Sequence, residues 1–222
     1  MRRFIRQNSL SLVVFGLFAL FVVGQSVVGL TVYNEEQQEH GDRPVGYLEY
    51  LVTGHFGEAV FENWESEFLQ MGALVLLTVW LRQKGSPESK KLDQAEPVDK
   101  EPRARKGGRT KAPWPVRRGG IVFLLYENSL AIALLGLFAL SFALHALSGV
   151  AAYNAEQQAH GQPDQSTAIQ YVLSAKFWWE SLQNWQSEFL AVGALAVLTV
   201  FLRQKGSPES KPVDHPDEET GR

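Results

Sequence analysis

Apolar residues are concentrated in a few stretches of the chain, separated by polar and charged segments. The two longest stretches, 9–32 and 129–152, each contain 24 residues without a formal charge. At 1.5 Å per residue, each predicts a helix of roughly 36 Å, which is longer than the roughly 30 Å hydrocarbon core of a bilayer. We therefore predict that both stretches are membrane-spanning helices.

Two shorter apolar stretches, 68–81 and 189–202, contain 14 uncharged residues each, a length that is equally typical of buried helices in soluble proteins. Counted from the tryptophans that precede them, Trp64 and Trp185, each would give roughly 27 Å of helix. The two long helices have similar flanks, basic before and acidic after, so they should insert in the same direction. That requires the short stretches to cross as well, and we predict four spans.

The two halves of the chain repeat one another. Tyr-Asn-x-Glu-Gln-Gln-x-His-Gly occurs at 33–41 and again at 153–161, and residues 81–90 are identical to residues 202–211. The predicted fold class is an all-α membrane protein with four transmembrane helices, arranged as two tandem parallel two-helix repeats. Each repeat should carry an outer amphipathic segment, either on the membrane surface or leading straight into the second span.

The domain organisation follows from these stretches and from the composition between them. We predict a first two-span repeat at 1–84 with spans at about 9–32 and 64–81, a charged, disordered cytoplasmic linker at 85–120, a second two-span repeat at 121–205 with spans at about 129–152 and 185–202, and a flexible cytoplasmic tail at 206–222.

Basic residues are distributed unevenly around the predicted spans. Of the 21 lysines and arginines, 19 lie before the first span, in the linker or after the last span, and only Arg43 and Lys176 lie in the other loops. The positive-inside rule therefore predicts cytoplasmic N- and C-termini. The basic stretch 100–118 could also contact anionic lipid. A net charge of −3 gives no reason to expect nucleic-acid binding, and the absence of cysteine excludes disulfides and thiolate catalysis.

Glutamate and histidine recur at helical spacing after each long stretch. Glu36 and His40, like Glu156 and His160, are four residues apart and share a helix face. The candidate outer polar cluster contains Glu36, His40, Glu67, Glu156, His160 and Glu188. Helix capping and interhelical hydrogen bonding are the favoured interpretation, with binding of a divalent cation or protons, and acid–base catalysis, as alternatives. No catalytic, cofactor-binding or metal-ligating residue is assigned, and no cofactor is expected.

Two polar residues occupy equivalent places inside the long stretches, Gln25 in the first and His145 in the second. Polar groups at such depth often have a function in transport. They also form hydrogen bonds between helices. We favour the second role and keep a proton-linked role as the alternative.

The residues at 33–36, 61–71 and 85–90 resemble a bacterial family of small integral membrane proteins that is classed only as a domain of unknown function. The resemblance covers both repeats and excludes the linker and tail, so the chain would hold two tandem copies. It implies a multi-pass protein of the bacterial plasma membrane and implies no activity.

We expect an integral membrane protein that is not an enzyme and that serves as a structural, sensory or interaction component. Its partners would be the lipid bilayer and either a second copy of the chain or another membrane protein. The first alternative is a small transporter or channel that uses the outer Glu and His residues. The second is a metal-dependent membrane enzyme.

Overall fold

The computed structural model describes residues 2–100, 112–162 and 165–221, and these residues form helices and turns with no strand. The helices are α1 Arg2–Gln7, α2 Ser9–Glu39, α3 Tyr47–Tyr50, α4 Gly54–Trp80, α5 Trp114–Arg118, α6 Gly120–Glu127, α7 Ser129–Ala159, α8 Ala168–Val172 and α9 Ala175–Phe201, with a 3₁₀ turn at Pro97–Asp99. The all-helical part of the fold prediction is confirmed. Most of the basic stretch 100–118, namely residues 101–111, lies outside the described residues.

Three helices, α2, α7 and α9, are long and apolar enough to cross a membrane. Large apolar side chains on α2 are exposed, including Leu10 at 77%, Phe15 at 70% and Phe21 at 67%. Exposed leucine and phenylalanine along a whole helix are what a lipid-facing surface requires. Three of the four predicted spans therefore have a helix of suitable length and composition.

The fourth predicted span, at about 64–81, falls within α4, which is not among the three helices apolar enough to cross a membrane. Within the predicted span, α4 carries Glu65, Glu67 and also Gln70, at the position where α9 has the apolar Ala191. Transfer of polar and charged side chains into hydrocarbon is costly, so these residues lower the hydropathy of this segment. α4 and α9 also start well before the tryptophans, because the amphipathic segments lead straight into them.

The long helices extend beyond the apolar stretches, to Glu39 in α2 and Ala159 in α7. Glutamate and glutamine are good helix formers, so the repeated polar motif continues the helix. Both helices end at a glycine with positive φ, 80° at Gly41 and 73° at Gly161. The following amide donates to the carbonyl five residues back, Asp42 to Gln37 and Gln162 to Gln157, which is the Schellman arrangement.

Contacts divide the chain into two units. Unit 1 comprises Met1–Phe61 and Ala143–Trp178, and unit 2 comprises Glu62–Phe142 and Trp179–Arg222. Unit 1 thus contains the whole of α2 and the C-terminal part of α7, together with the segments that follow these helices.

In unit 1, an asparagine fastens each segment to the helix before it. The Asn34 amide accepts from the Val45 N–H at 2.7 Å and donates to the Val45 carbonyl at 3.1 Å. The Asn154 amide pairs in the same way with Ser166, at 2.8 and 2.9 Å. One planar amide thereby satisfies both backbone groups of a loop residue, which would otherwise lack helical partners.

Two buried tyrosines, each 1% exposed, pack against glycines of the long helices. A Cβ added to Gly29 would collide with the Tyr50 hydroxyl, and one added to Gly149 would lie 2.6 Å from the Tyr171 ring. Only glycine leaves room for the aromatic ring at these positions, so α3 and α8 lie close to α2 and α7 respectively.

In unit 2, the identical stretches 81–90 and 202–211 form the same turn. Ser89 Oγ accepts from the Gln83 N–H and Ser210 Oγ accepts from the Gln204 N–H, both at 2.9 Å. The Lys211 ammonium donates to three carbonyls in 216–219, at 2.9 to 3.2 Å. These hydrogen bonds join Lys211 to the end of the predicted tail. The flexibility of the tail, expected from its composition, remains a prediction.

Candidate functional site

A cavity of about 440 Å³ lies in unit 1, at the C-terminal ends of α2 and α7. We call it the Glu–His cavity. Its walls are formed by Tyr33, Glu36, Gln37, His40, Gly54, His55, Glu58, Ala151, Ala152, Tyr153, Ala155, Glu156, Ala159, His160 and Lys176. Three carboxylates and one ammonium give these walls a formal charge of −2 when the histidines are neutral. A cavity with this charge favours cations.

His40 and His160 approach each other edge-on at the cavity wall, with ring centres 5.2 Å apart and ring planes at 70°. His40 Nδ1 lies 2.8 Å from the Glu36 carbonyl oxygen, and His160 Nδ1 lies 2.8 Å from the Glu156 carbonyl oxygen. Because a carbonyl can only accept, each Nδ1 carries the proton. In the neutral imidazole, Nε2 then has a lone pair available for a ligand.

Each glutamate of the two Glu–His pairs has a basic neighbour. Glu36 Oε2 lies 4.0 Å from His55 Nε2, and Glu156 Oε2 lies 3.6 Å from Lys176 Nζ. The glutamate side chains are 51% and 54% exposed, so the Glu156–Lys176 ion pair is weak and screened by solvent, and the Glu36–His55 contact is an ion pair only when the imidazole is protonated. Both carboxylates can therefore exchange their partners for a ligand at small cost.

The hydroxyl groups of the two buried tyrosines contact residues of the cavity wall. The Tyr171 hydroxyl donates to Glu58 Oε1 at 2.8 Å, and Glu58 lines the cavity. The Tyr50 hydroxyl lies 3.3 Å from His55 Nδ1. Burial, with a smaller effect of the nearby Glu36 carboxylate, raises the pKa of Tyr50, so its hydroxyl keeps its proton. Both tyrosines thus orient a charged or titratable wall residue.

Gly54, at the start of α4, allows the close approach that forms one wall. A Cβ at this position would lie 2.5 Å from the Ala152 nitrogen and 2.7 Å from the Ser148 carbonyl oxygen. These are backbone atoms of α7, which cannot move aside as a side chain can. Small residues on both helices bring the two backbones together here.

The structure brings together four of the six residues of the candidate outer polar cluster: Glu36, His40, Glu156 and His160. The other two, Glu67 and Glu188, belong to unit 2. There, the Glu188 carbonyl accepts from Gln70 Nε2 at 3.0 Å.

Of the two intramembrane polar candidates, Gln25 is exposed on α2. His145 is fully buried in α7, where its ring stacks on Phe177 with centres 4.6 Å apart and planes at 25°.

Sequence reasoning missed three wall residues, His55, Glu58 and Lys176. They lie on the segments that were predicted to be amphipathic, where a polar side chain is expected on the outer face and gives no sign of a site. It also missed Glu65, which is fully buried in unit 2 and accepts from Trp185 Nε1 at 3.0 Å. Glu65 lies two residues before Glu67 in α4, and the sequence pattern does not indicate which of the two is buried.

A helical chain with three helices apolar enough for a bilayer and a polar cavity at their ends is the architecture of a membrane protein. Within that class, the chain belongs to the family described as "Domain of unknown function (DUF6766)", whose model matches residues 1–222 as a single domain. The resemblance to a family of unknown function is thereby confirmed, but its predicted extent was wrong, because the match also includes the linker and the tail. No curated protein and no solved structure matches the chain.

Proposed function

We propose that the protein is a four-span component of the bacterial plasma membrane that binds a small cation in the Glu–His cavity, on the non-cytoplasmic side. Its role is that of a sensory or interaction component rather than an enzyme. The cavity carries this proposal, because two Glu–His pairs from two apolar helices meet in one negatively charged space. Such a space selects ligands by charge and by imidazole or carboxylate chemistry.

The four-span arrangement rests on the repeat and on the distribution of basic residues. α4 and α9 both lead into the same ten-residue sequence, 81–90 and 202–211, whose local hydrogen bonds also match. Arg82 and Arg203 follow the two helices at equivalent places. With both in the cytoplasm, α4 crosses in the same direction as α9, and the Glu–His cavity faces the other side.

The topology is tested by single cysteines introduced into this cysteine-free chain at Gln38, Gln158 and Gln94. A membrane-impermeant thiol reagent applied to intact cells should label the first two and should label Gln94→Cys only after permeabilisation. Labelling of Gln94→Cys on intact cells would mean that α4 does not cross and would overturn the proposed orientation.

Cation binding is tested by the thermal stability of the purified full chain in the presence of a panel of small cations: divalent metals and diamines. At least one of them should raise the melting temperature of the wild type and leave the double variant Glu36→Gln, Glu156→Gln unchanged, since ligand binding to the folded state stabilises it. A panel without effect on the wild type would overturn cation binding.

A small transporter or channel is the second candidate, favoured by one observation. Glu58 lines the cavity, and one of its carboxylate oxygens lies within 4.8 Å of a ring nitrogen of the buried His145. A titratable pair extending from an open cavity into an apolar helix is a typical start for a proton or ion path. Flux in proteoliposomes that is lost on His145→Ala and kept on His215→Ala would favour this candidate.

A further inference from the structure

We propose that the cation of the Glu–His cavity is a first-row transition-metal dication of the Zn²⁺ type, ligated by Nε2 of His40 and Nε2 of His160. This inference rests on the proposed function, since it names the chemical class of the ligand. It goes further because it identifies two ligand atoms and predicts selectivity over hard cations.

The first support is the tautomer of the two histidines. Both Nδ1 atoms donate to backbone carbonyls at 2.8 Å, which leaves both Nε2 atoms as bases. Metal-binding histidines in proteins nearly always have their second nitrogen held by a carbonyl or carboxylate, because that bond fixes the ring and raises its basicity. Here the outer hydrogen bond is present at both rings.

The second support is the spacing of the rings. An imidazole that binds Zn²⁺ through nitrogen at about 2.0 to 2.1 Å has its ring centre about 3 Å from the metal, so two such rings at a tetrahedral angle have centres about 5 Å apart. The observed separation of the His40 and His160 ring centres is 5.2 Å.

The third support is the pair of carboxylates that accompanies the rings. Glu36 and Glu156 each precede a histidine by four residues on the same helix face, and both line the cavity. Their present neighbours, His55 at 4.0 Å and Lys176 at 3.6 Å, are weak partners in half-exposed positions. Rotation of one or both carboxylates onto the metal would complete a set of imidazole and carboxylate ligands, which suits Zn²⁺ better than Ca²⁺ or Mg²⁺.

Helix capping alone is the competing explanation for the two histidines. A cap needs only the Nδ1 hydrogen bond to the carbonyl four residues back, and it requires neither the close edge-on approach of two rings nor a negatively charged cavity around them. Capping and ligation are also compatible, because they use different nitrogens of the same ring.

The test is calorimetric titration of the purified full-length protein, stripped with a chelator, with Zn²⁺ itself. The expected result is one Zn²⁺ per chain, no competition from a hundredfold excess of Mg²⁺, and an affinity weakened about tenfold or more in both His40→Ala and His160→Ala. His215→Ala, in the tail of unit 2, is the matched control and should bind as the wild type does. Circular dichroism of each variant checks folding, and His40→Asn and His160→Asn, which keep a polar side chain at the helix end, replace any alanine variant that misfolds.

Absence of Zn²⁺ binding, or equal binding by the wild type and both histidine variants, would overturn the inference. If a diamine or Ca²⁺ nevertheless stabilises the wild type and not the glutamate double variant, cation binding stands and only the metal assignment fails. If no cation acts at all, the proposed function fails as well.

Discussion

Two segments of like sequence contribute to the Glu–His cavity, 33–56 and 153–177. Both contain an asparagine that binds a loop residue through two hydrogen bonds and a buried tyrosine that packs on a glycine of the preceding helix. These positions hold the backbone in place, and both segments keep them. The residues that repeat between the two segments therefore include those that fix the backbone.

The charges of the two segments differ. The first has Glu35, Glu39 and His55, where the second has Ala155, Ala159 and Lys176. The tyrosine hydroxyl of the first contacts a histidine in its own segment, whereas that of the second donates to Glu58. The residues that hold the backbone are thus shared by the two segments, whereas several charged residues differ. The tyrosines belong to both groups, because the ring packs on a glycine and the hydroxyl contacts a wall residue.

The largest effect should come from Gly54→Ala, which makes the first segment resemble the second at this position. The new Cβ would lie 2.5 Å from a backbone nitrogen of α7, so one helix must shift. We expect a loss of about 3 kcal/mol in the free energy of unfolding, at the upper end of overpacking effects. Denaturant titration in detergent measures it. Gly136→Ala, in an open part of α7, is the control and should stabilise by about 0.5 to 1 kcal/mol.

Removal of the asparagine bonds should affect both segments equally. Asn34→Ala and Asn154→Ala each leave a loop N–H and carbonyl without their amide partner, and each should cost about 1 to 3 kcal/mol. The same denaturant titration, with the exposed Gln38→Ala as control, measures both. If the two variants lose free energy of unfolding by amounts that differ by more than the cost of one hydrogen bond, the asparagines do not have the same structural role in the two segments.

The tyrosine hydroxyls should separate the segments. Tyr171→Phe removes a 2.8 Å bond to a carboxylate and should cost about 1.5 to 3 kcal/mol, whereas Tyr50→Phe removes a 3.3 Å contact with an imidazole and should cost about 1 kcal/mol. Thermal unfolding of the two variants under the same conditions shows which of them loses more stability. A larger loss for Tyr50→Phe would contradict the proposed division of roles.

The smallest effect should come from Arg43→Ala. Arg43 pairs with Glu49 at 3.2 Å in the first segment, but the side chains are 83% and 51% exposed. Exposed ion pairs contribute less than about 1 kcal/mol and are screened by salt. The melting temperature should therefore change little, and any change should vanish at high ionic strength. A large, salt-independent loss would assign Arg43 a structural role.

Apolar runs were sufficient to predict where α2 and α7 begin, because 24 consecutive residues without a formal charge favour one long apolar helix. The ends were less predictable. A run of charged and amide residues after the apolar stretch continued the helix, since helix propensity and hydropathy are separate properties. α4 was the hardest case, because four glutamates and an apolar second half occur in one helix.

Four of the seven charged or imidazole side chains of the cavity wall were predictable from the sequence. Glu36 and His40 are related by helical periodicity, and their copies Glu156 and His160 follow by sequence identity. Glu58 and Lys176 were not predictable, because they reach the cavity through the packing of other helices. The role of Gly54 was not predictable either, since its missing side chain is what permits close contact with the backbone of α7.

The helix ends at Gly41 and Gly161 have a consequence for protein engineering. The helix stops where the glycine has positive φ and the next N–H donates a hydrogen bond to the carbonyl five residues back. The Glu–His pair therefore occupies the final turn in both α2 and α7. We therefore expect that the ten residues at 33–42 can be transferred as one segment, and that two copies grafted onto adjacent helix ends of an unrelated bundle reproduce the neighbouring imidazoles in a soluble scaffold.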